Sequence, residues 1–179
     1  MKKAFTFKIA AISAILIAVL VAIPLVGAQG TSYSFTLMGP NVSMAAVDIP
    51  GTHVKAGDLL CMTGSGTFDT STGAVSGGGA FTHVNFDGTV HGKGIWTVTR
   101  FLSFTSYGGP SPGMQGGLLR IVIHAVNIEG EEFNFIVQIS CLVGNAPPGA
   151  PDEGTTVWAP FGPLFGEVVS GRTLFHLNG

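Results

Sequence analysis

The 179-residue chain carries eight Lys and Arg against ten Asp and Glu, only 10% charged residues in all, with 27 glycines and a mean hydropathy of +0.49. So few cations cannot build the phosphate-neutralising surface that nucleic-acid binding requires, which excludes that class of partner. The abundance of Gly, Thr, Ser, Val and Phe suits short strands and tight turns better than surface helices.

Lys2, Lys3 and Lys8 precede an apolar run from Ile9 to Ile23, followed by Pro24 and by Val26-Gly27-Ala28. This pattern predicts a helical secretory signal peptide over 1–28, cut before Gln29 because the peptidase admits small side chains at Val26 and Ala28. The alternative, an uncleaved anchor, is opposed by a run shorter than the ~20 residues that a spanning helix needs. No later stretch is apolar and long enough to span a bilayer, so the expected address is secreted or periplasmic, with no stable membrane span after cleavage. Residues 29–179 are expected to form a single domain with a formal charge of −5. A chain of that size buries roughly 68–70% of its unfolded surface.

Along the chain, Tyr33 to Leu37 and His53 to Thr63 read as early strands, broken by "GP" and "IPG". Cys61 and Cys141 both fall in apolar strand-like runs, and export to an oxidising compartment predicts one disulfide between them, with two buried free thiols as the alternative. Neither belongs to a C-x-x-C, which argues against redox catalysis or a zinc knuckle.

Next, "TGSGTFD" and "GAVSGGGAFTHVNF" flank the turn "TSTG", whose Gly73 is free to take a positive φ. The stretch "HVNFDGTVH" then sets His83 and His91 about an Asp-Gly signal. A two-residue Asp87-Gly88 turn would set an apolar stripe against a polar one. A three-residue loop, Phe86-Asp87-Gly88, closed by a left-handed glycine and its bulge, instead pairs Val84 with Val90, Thr82 with Gly92 and Ala80 with Gly94. That register is preferred, and it puts His83 directly opposite His91.

The Gly- and Pro-rich "TSYGGPSPGMQGG" reads as a loop leading into "LLRIVIHAVN" and "EEFNFIVQISCLV". With Ile128-Glu129-Gly130 as the turn between those two, Ala125 opposes Phe133, Ile123 opposes Phe135, Ile121 opposes Val137 and Leu119 opposes Ile139. His124 meets Asn134 and Arg120 meets Gln138 on the other face. After Val143, "GNAPPGAPDEGTTVWAPFGP" reads as a surface strap or mobile loop before a last strand, "GRTLFHLN".

Two histidines on neighbouring strands offer a transition-metal pair if a third ligand comes from Asn85, His124, His176 or His53. A solvated polar face with Thr89 and Lys93 is the alternative. The acids cluster at turns (Asp69, Asp87, Glu129, Glu131, Glu132), and no nucleophile or partner carboxylate is spaced to orient His83 or His91 for acid–base work. No cofactor is implied.

The glycines carry a second candidate site. In the same register Gly78 opposes Trp96, with Ala80 and Gly94 alongside, while Gly64 and Gly66 oppose Gly79 and Gly77. Strand glycines leave a hollow that something must fill. Either Trp96 lies across it, or Trp96, Gly78, Gly94 and Ala80 line a ligand site.

At "TGSGTFDTSTGAVSGGGAF" the chain resembles the Gly-x-Gly-x-Phe strand and glycine-marked hairpin of the allene oxide cyclase and dirigent class of small β-barrels. It also resembles secreted glycine-rich β proteins with a closing "SGRTLF" strand. The cyclase resemblance covers some 20 residues. It implies an eight-stranded barrel with an apolar cavity that shapes a reactive substrate rather than using a nucleophile, but none of that class's polar catalytic residues can be placed here.

The expected fold is therefore all-β: an antiparallel barrel built as a meander of hairpins, with a β-sandwich as the alternative. The expected function is an exported, non-enzymatic binding or structural role. Its rival is a barrel that binds a small apolar molecule, or acts as a cyclase, through a cavity around Trp96.

Overall fold

The computed structural model describes residues 31–111 and 113–178; the expected leader, 1–28, lies outside the described residues. Ten strands follow in chain order: β1 (Ser32–Met44), β2 (Leu59–Asp69), β3 (Val75–Val84), β4 (Val90–Ser111), β5 (Met114–Asn127), β6 (Glu132–Cys141), β7 (Gly154–Ala159), β8 (Gly162–Phe165), β9 (Glu167–Ser170) and β10 (Thr173–Asn178). No helix is found among the described residues. The fold is all-β and antiparallel, with strand order β10-β1-β2-β3-β4-β5-β6-β7-β8, and a further β10–β5 pairing closes the sheet into a barrel-like ring.

Period-two patterning drives the strands. On β1, Tyr33, Phe35 and Leu37 are buried while Ser32, Ser34 and Thr36 alternate with them, and on β5 the buried set is Leu119, Ile121, Ile123 and Ala125. Three hairpin turns end in a glycine with positive φ: Gly73 (72°), Gly88 (87°) and Gly130 (85°). In the first turn the Asp69 carboxylate accepts hydrogen bonds from Ser71 and Thr72, which hold its pKa down at about 2.

The ring has unequal ends. The free edge of β1 is shared: β10 pairs with Ser32 to Leu37, and β9 pairs with Val42 to Met44. The corresponding edge of β5 is shared too, by β10 at Met114 and Gln115 and by β6 from Gly117 to Val126. At one end six strands therefore complete the circuit, whereas at the other β10 gives way to β6, β7, β8 and β9. A barrel widens as strands are added. The narrow end is filled by aromatic rings, with Phe104 packed 4.8 Å from Tyr33, 4.8 Å from Phe68 and 5.1 Å from Phe175, centroid to centroid.

Four expectations are corrected. The Gly- and Pro-rich 105–117 segment is strand for most of its length, because repeated bulges between β4 and β5 absorb the residues that cannot join a regular ladder. Gly108 supplies a positive φ of 72°, and Pro110, which has no N–H to give, falls in an irregularity between paired Gly108 and Ser111. The 144–163 strap contains β7, whose "TTVWA" pattern buries Thr155, Val157 and Ala159 behind a Pro- and Gly-rich lead. The second strand begins at Leu59 rather than His53, since 53–58 is turned back on itself at Gly57, whose φ is +87°. Finally, Cys61 and Cys141 are both free thiols. Both lie on strands, but Cys61 alternates with buried Leu60 and Met62 and so faces outward, whereas Cys141 is fully buried in line with Val137 and Ile139.

The glycine register between β2 and β3 is as the sequence predicts, Gly64 opposite Gly79 and Gly66 opposite Gly77. A Cβ on Gly64 would run into the Trp96 ring, and one on Gly79 into the Thr63 carbonyl. Gly64→Ala is therefore expected to destabilise the fold by about 1–3 kcal/mol through overpacking, measured as a shifted denaturation midpoint. Thiol labelling of denatured, unreduced protein should count two reactive thiols per chain, since the two cysteines face opposite sides of the sheet.

Candidate functional site

The wide end of the barrel encloses a cavity of about 740 Å³. Its walls are the inner faces of the strands: Leu60 and Met62 from β2, Phe81 and His83 from β3, Ile123 and Ala125 from β5, Phe135 from β6, Val157 from β7 and Phe165 from β8. Polar residues gather at the mouth, where His53, His91, Glu129 and Glu131 are exposed. Among the described residues no Lys or Arg lines the cavity.

His83 is the buried polar side chain in this apolar wall, 9% exposed, and its Nε2 lies 3.0 Å from Asp58 Oδ2. Asp58 is wholly buried, and its carboxylate accepts two more hydrogen bonds, from the Lys55 N–H at 2.8 Å and the Phe86 N–H at 3.0 Å. One side chain thus ties the 53–58 turn, the end of β3 and the β3–β4 turn together. Burial pushes the Asp58 carboxyl up, but its bonds with the Lys55 N–H, His83 and the Phe86 N–H outweigh that and leave its pKa below the ordinary value. For His83 burial wins: its pKa is lowered, against the opposing pull of Asp58, with His91 and His53 adding to the depression.

The expected cross-strand histidine pair is corrected in register. The three-residue loop is present, with Asn85 N–H bonded to the Thr89 carbonyl at 2.8 Å and Val84 opposite Val90. A second irregularity then follows at once: His83 pairs with Gly92 and His91 is the extra residue. The rings still approach, at 4.8 Å between centroids, and the His53 ring lies tilted at 5.2 Å from that of His91. Among the other expected ligands, Asn85 bonds Thr89, His124 lies 3.8 Å from Glu132, and His176 stands on β10 beside Gly113. Among the described residues no three of His, Cys, Asp and Glu are arranged to hold a metal ion.

The same one-residue slip relocates the glycine site. Gly79, not Gly78, opposes Trp96, and Gly78 opposes Thr97. Gly78 and Ala80 therefore lie on the outer face, and Trp96 and Gly94 on the inner one. Trp96 is 1% exposed, donates from Nε1 to the Thr63 carbonyl at 3.1 Å and covers Gly64, while the space at Gly94 is taken by the Val126 carbonyl and Phe81. None of Trp96, Gly78, Gly94 and Ala80 lines the cavity. The hollow lies instead toward His83.

Asp58 is the residue that the sequence reading missed when it found no carboxylate to orient a histidine. Its signal was available in the glycine register: extending Gly64 opposite Gly79 back to the start of β2 puts Leu60 opposite His83 and Asp58 just past it. No family model matches the chain, and no curated protein or solved structure is significantly similar to it.

The two depressed pKa values act in the same direction. The unfolded chain takes up protons before the native one does, so stability is complete above the ordinary histidine value of about 6.5. It falls on acidification, first through His83 and then, below about 3.9, through Asp58. The melting temperature should therefore drop between about pH 7.5 and about pH 5.5, and His83→Gln should flatten that limb. A wild-type melting temperature that does not change across this window would contradict the assignment.

Proposed function

We propose that the protein is an extracytoplasmic β-barrel that binds a small, largely apolar molecule in the wide end of the barrel. The observation that carries this reading is the apolar cavity of about 740 Å³, walled by strand side chains and furnished with one buried polar group, His83. Its volume falls within the roughly 300–1,000 Å³ of ordinary small-molecule sites, which combine apolar walls with few, well-placed polar atoms. The charged and apolar pattern of residues 1–28 supports export, and the resemblance to small cavity-bearing barrels supports an apolar occupant.

Binding is favoured over covalent chemistry by the lining itself. Its single hydroxyl belongs to Thr52, which donates to the Ile49 carbonyl at 2.9 Å and accepts from the Val54 N–H at 3.1 Å. Among the described residues neither Cys nor Ser nor Lys is present in the wall to serve as a nucleophile.

The test is saturable fluorescence enhancement of a neutral apolar dye, N-phenyl-1-naphthylamine. Ala125→Trp, which fills the cavity from β5, should abolish it, whereas Ala80→Leu on the outer face should leave it unchanged. Absence of enhancement with the native protein, or equal binding by the Ala125→Trp variant, would reject the cavity as the site.

A further inference from the structure

The Asp58 carboxylate has only lone pairs to offer, so His83 Nε2 must be the donor in their hydrogen bond. That fixes the tautomer: in neutral His83 the proton sits on Nε2, and Nδ1 is an acceptor. Nδ1 makes no hydrogen bond within the described residues, yet it is not among the sealed, unpartnered buried atoms, which are Asn41 Oδ1, Ser43 Oγ and Thr155 Oγ1. It therefore keeps some accessible surface, on a ring that lines the cavity.

The other polar groups of the lining are either committed or at the exposed mouth. Thr52 is held within its own turn, and the Asn127 side chain donates to Glu131 at 2.8 Å while accepting the Glu129 and Glu131 N–H groups. His53, His91, Glu129, Glu131 and Asn134 stand in solvent at the opening. The wall thus presents one uncommitted acceptor inside an apolar hollow, with Asp58 behind His83, Glu129 and Glu131 at the mouth and, among the described residues, no Lys or Arg in the lining to balance them.

Resting on the small-molecule reading above, we infer that the ligand is a neutral, largely apolar alcohol or phenol whose hydroxyl donates a hydrogen bond to His83 Nδ1. An anionic ligand would meet uncompensated negative charge at the site and at its mouth. A ligand without a donor would strip water from Nδ1 and give nothing in return, which is the costly half of the hydrogen-bond balance. The hydroxyl matches both constraints, and Asp58 strengthens the acceptor by polarising the imidazole from its far side.

The experiment compares 1-octanol, its methyl ether (1-methoxyoctane) and octanoate as competitors of N-phenyl-1-naphthylamine on the full chain, and follows the ¹⁵N resonances of His83. The alcohol is expected to bind about tenfold more tightly than the ether, which keeps the shape but loses the donor. It should also bind more tightly than octanoate and shift the Nδ1 resonance while leaving the Nε2 proton in place. His83→Phe should bring the alcohol down to the affinity of the ether, and if that variant does not fold, the native alcohol-to-ether ratio and the Nδ1 shift decide. Equal affinities for alcohol and ether, or tightest binding of octanoate, would overturn this inference and leave the cavity reading standing. Failure of the dye and all three competitors to bind would overturn both.

Discussion

Asp58 holds its charge in a place where a carboxylate is most expensive to keep, fully withdrawn from water beside an apolar hollow. Stripping water from such a group costs several kcal/mol, and only a complete set of hydrogen bonds offsets it. The set here comes from three separate pieces of chain: the Lys55 and Phe86 backbones and the His83 ring. Those bonds fix the mouth of the barrel, because among the described residues the 53–58 turn and the β3–β4 turn have no other charged anchor in common. The tautomer of His83 follows from the same constraint, since a carboxylate beside Nε2 dictates which ring nitrogen carries the proton.

Glycine has a different part in the architecture. At Gly64 and Gly79 the missing side chains let β2 and β3 pass under Trp96, whose indole then closes the interior between the aromatic narrow end and the hollow wide end. The glycine patch is thus the floor of the cavity's neighbourhood rather than its wall. Bulges along β4 do the complementary work, bending a 22-residue strand far enough for its hairpin with β5 to meet β10 and complete the ring.

The sequence made some of this legible and hid the rest for identifiable reasons. The β5–β6 register could be read in full, because Leu119, Ile121, Ile123 and Ala125 alternate without interruption and a one-residue error would expose all of them. The β3–β4 register could be read only as far as Val84 and Val90. A second bulge at His91 has no compositional mark, since its neighbours Gly92 and Gly94 tolerate either face. β7 was hidden by its Pro- and Gly-rich lead, and the long hairpin of β4 and β5 by residues that usually mark loops. The partnership of His83 with Asp58 spans 25 residues and is visible only once the β2–β3 ladder is in hand. The thiols show the same limit: strand location could be inferred for both, but which face each one occupies depends on where the alternation starts.

The unequal ends of the ring divide the molecule into a part that must stay as it is and a part with latitude. At the narrow end Phe68, Phe104 and Phe175 each touch more than one other ring, so a change in any of them disturbs strands that are far apart in the chain. At the wide end a lining side chain borders empty space, and a larger or smaller residue can be taken up by the hollow without moving the strand that carries it. Substitutions in the lining can therefore reshape the hollow while the ring of strands stays unchanged, with the hydrogen-bonded His83 and Asp58 as the polar point in its otherwise apolar wall.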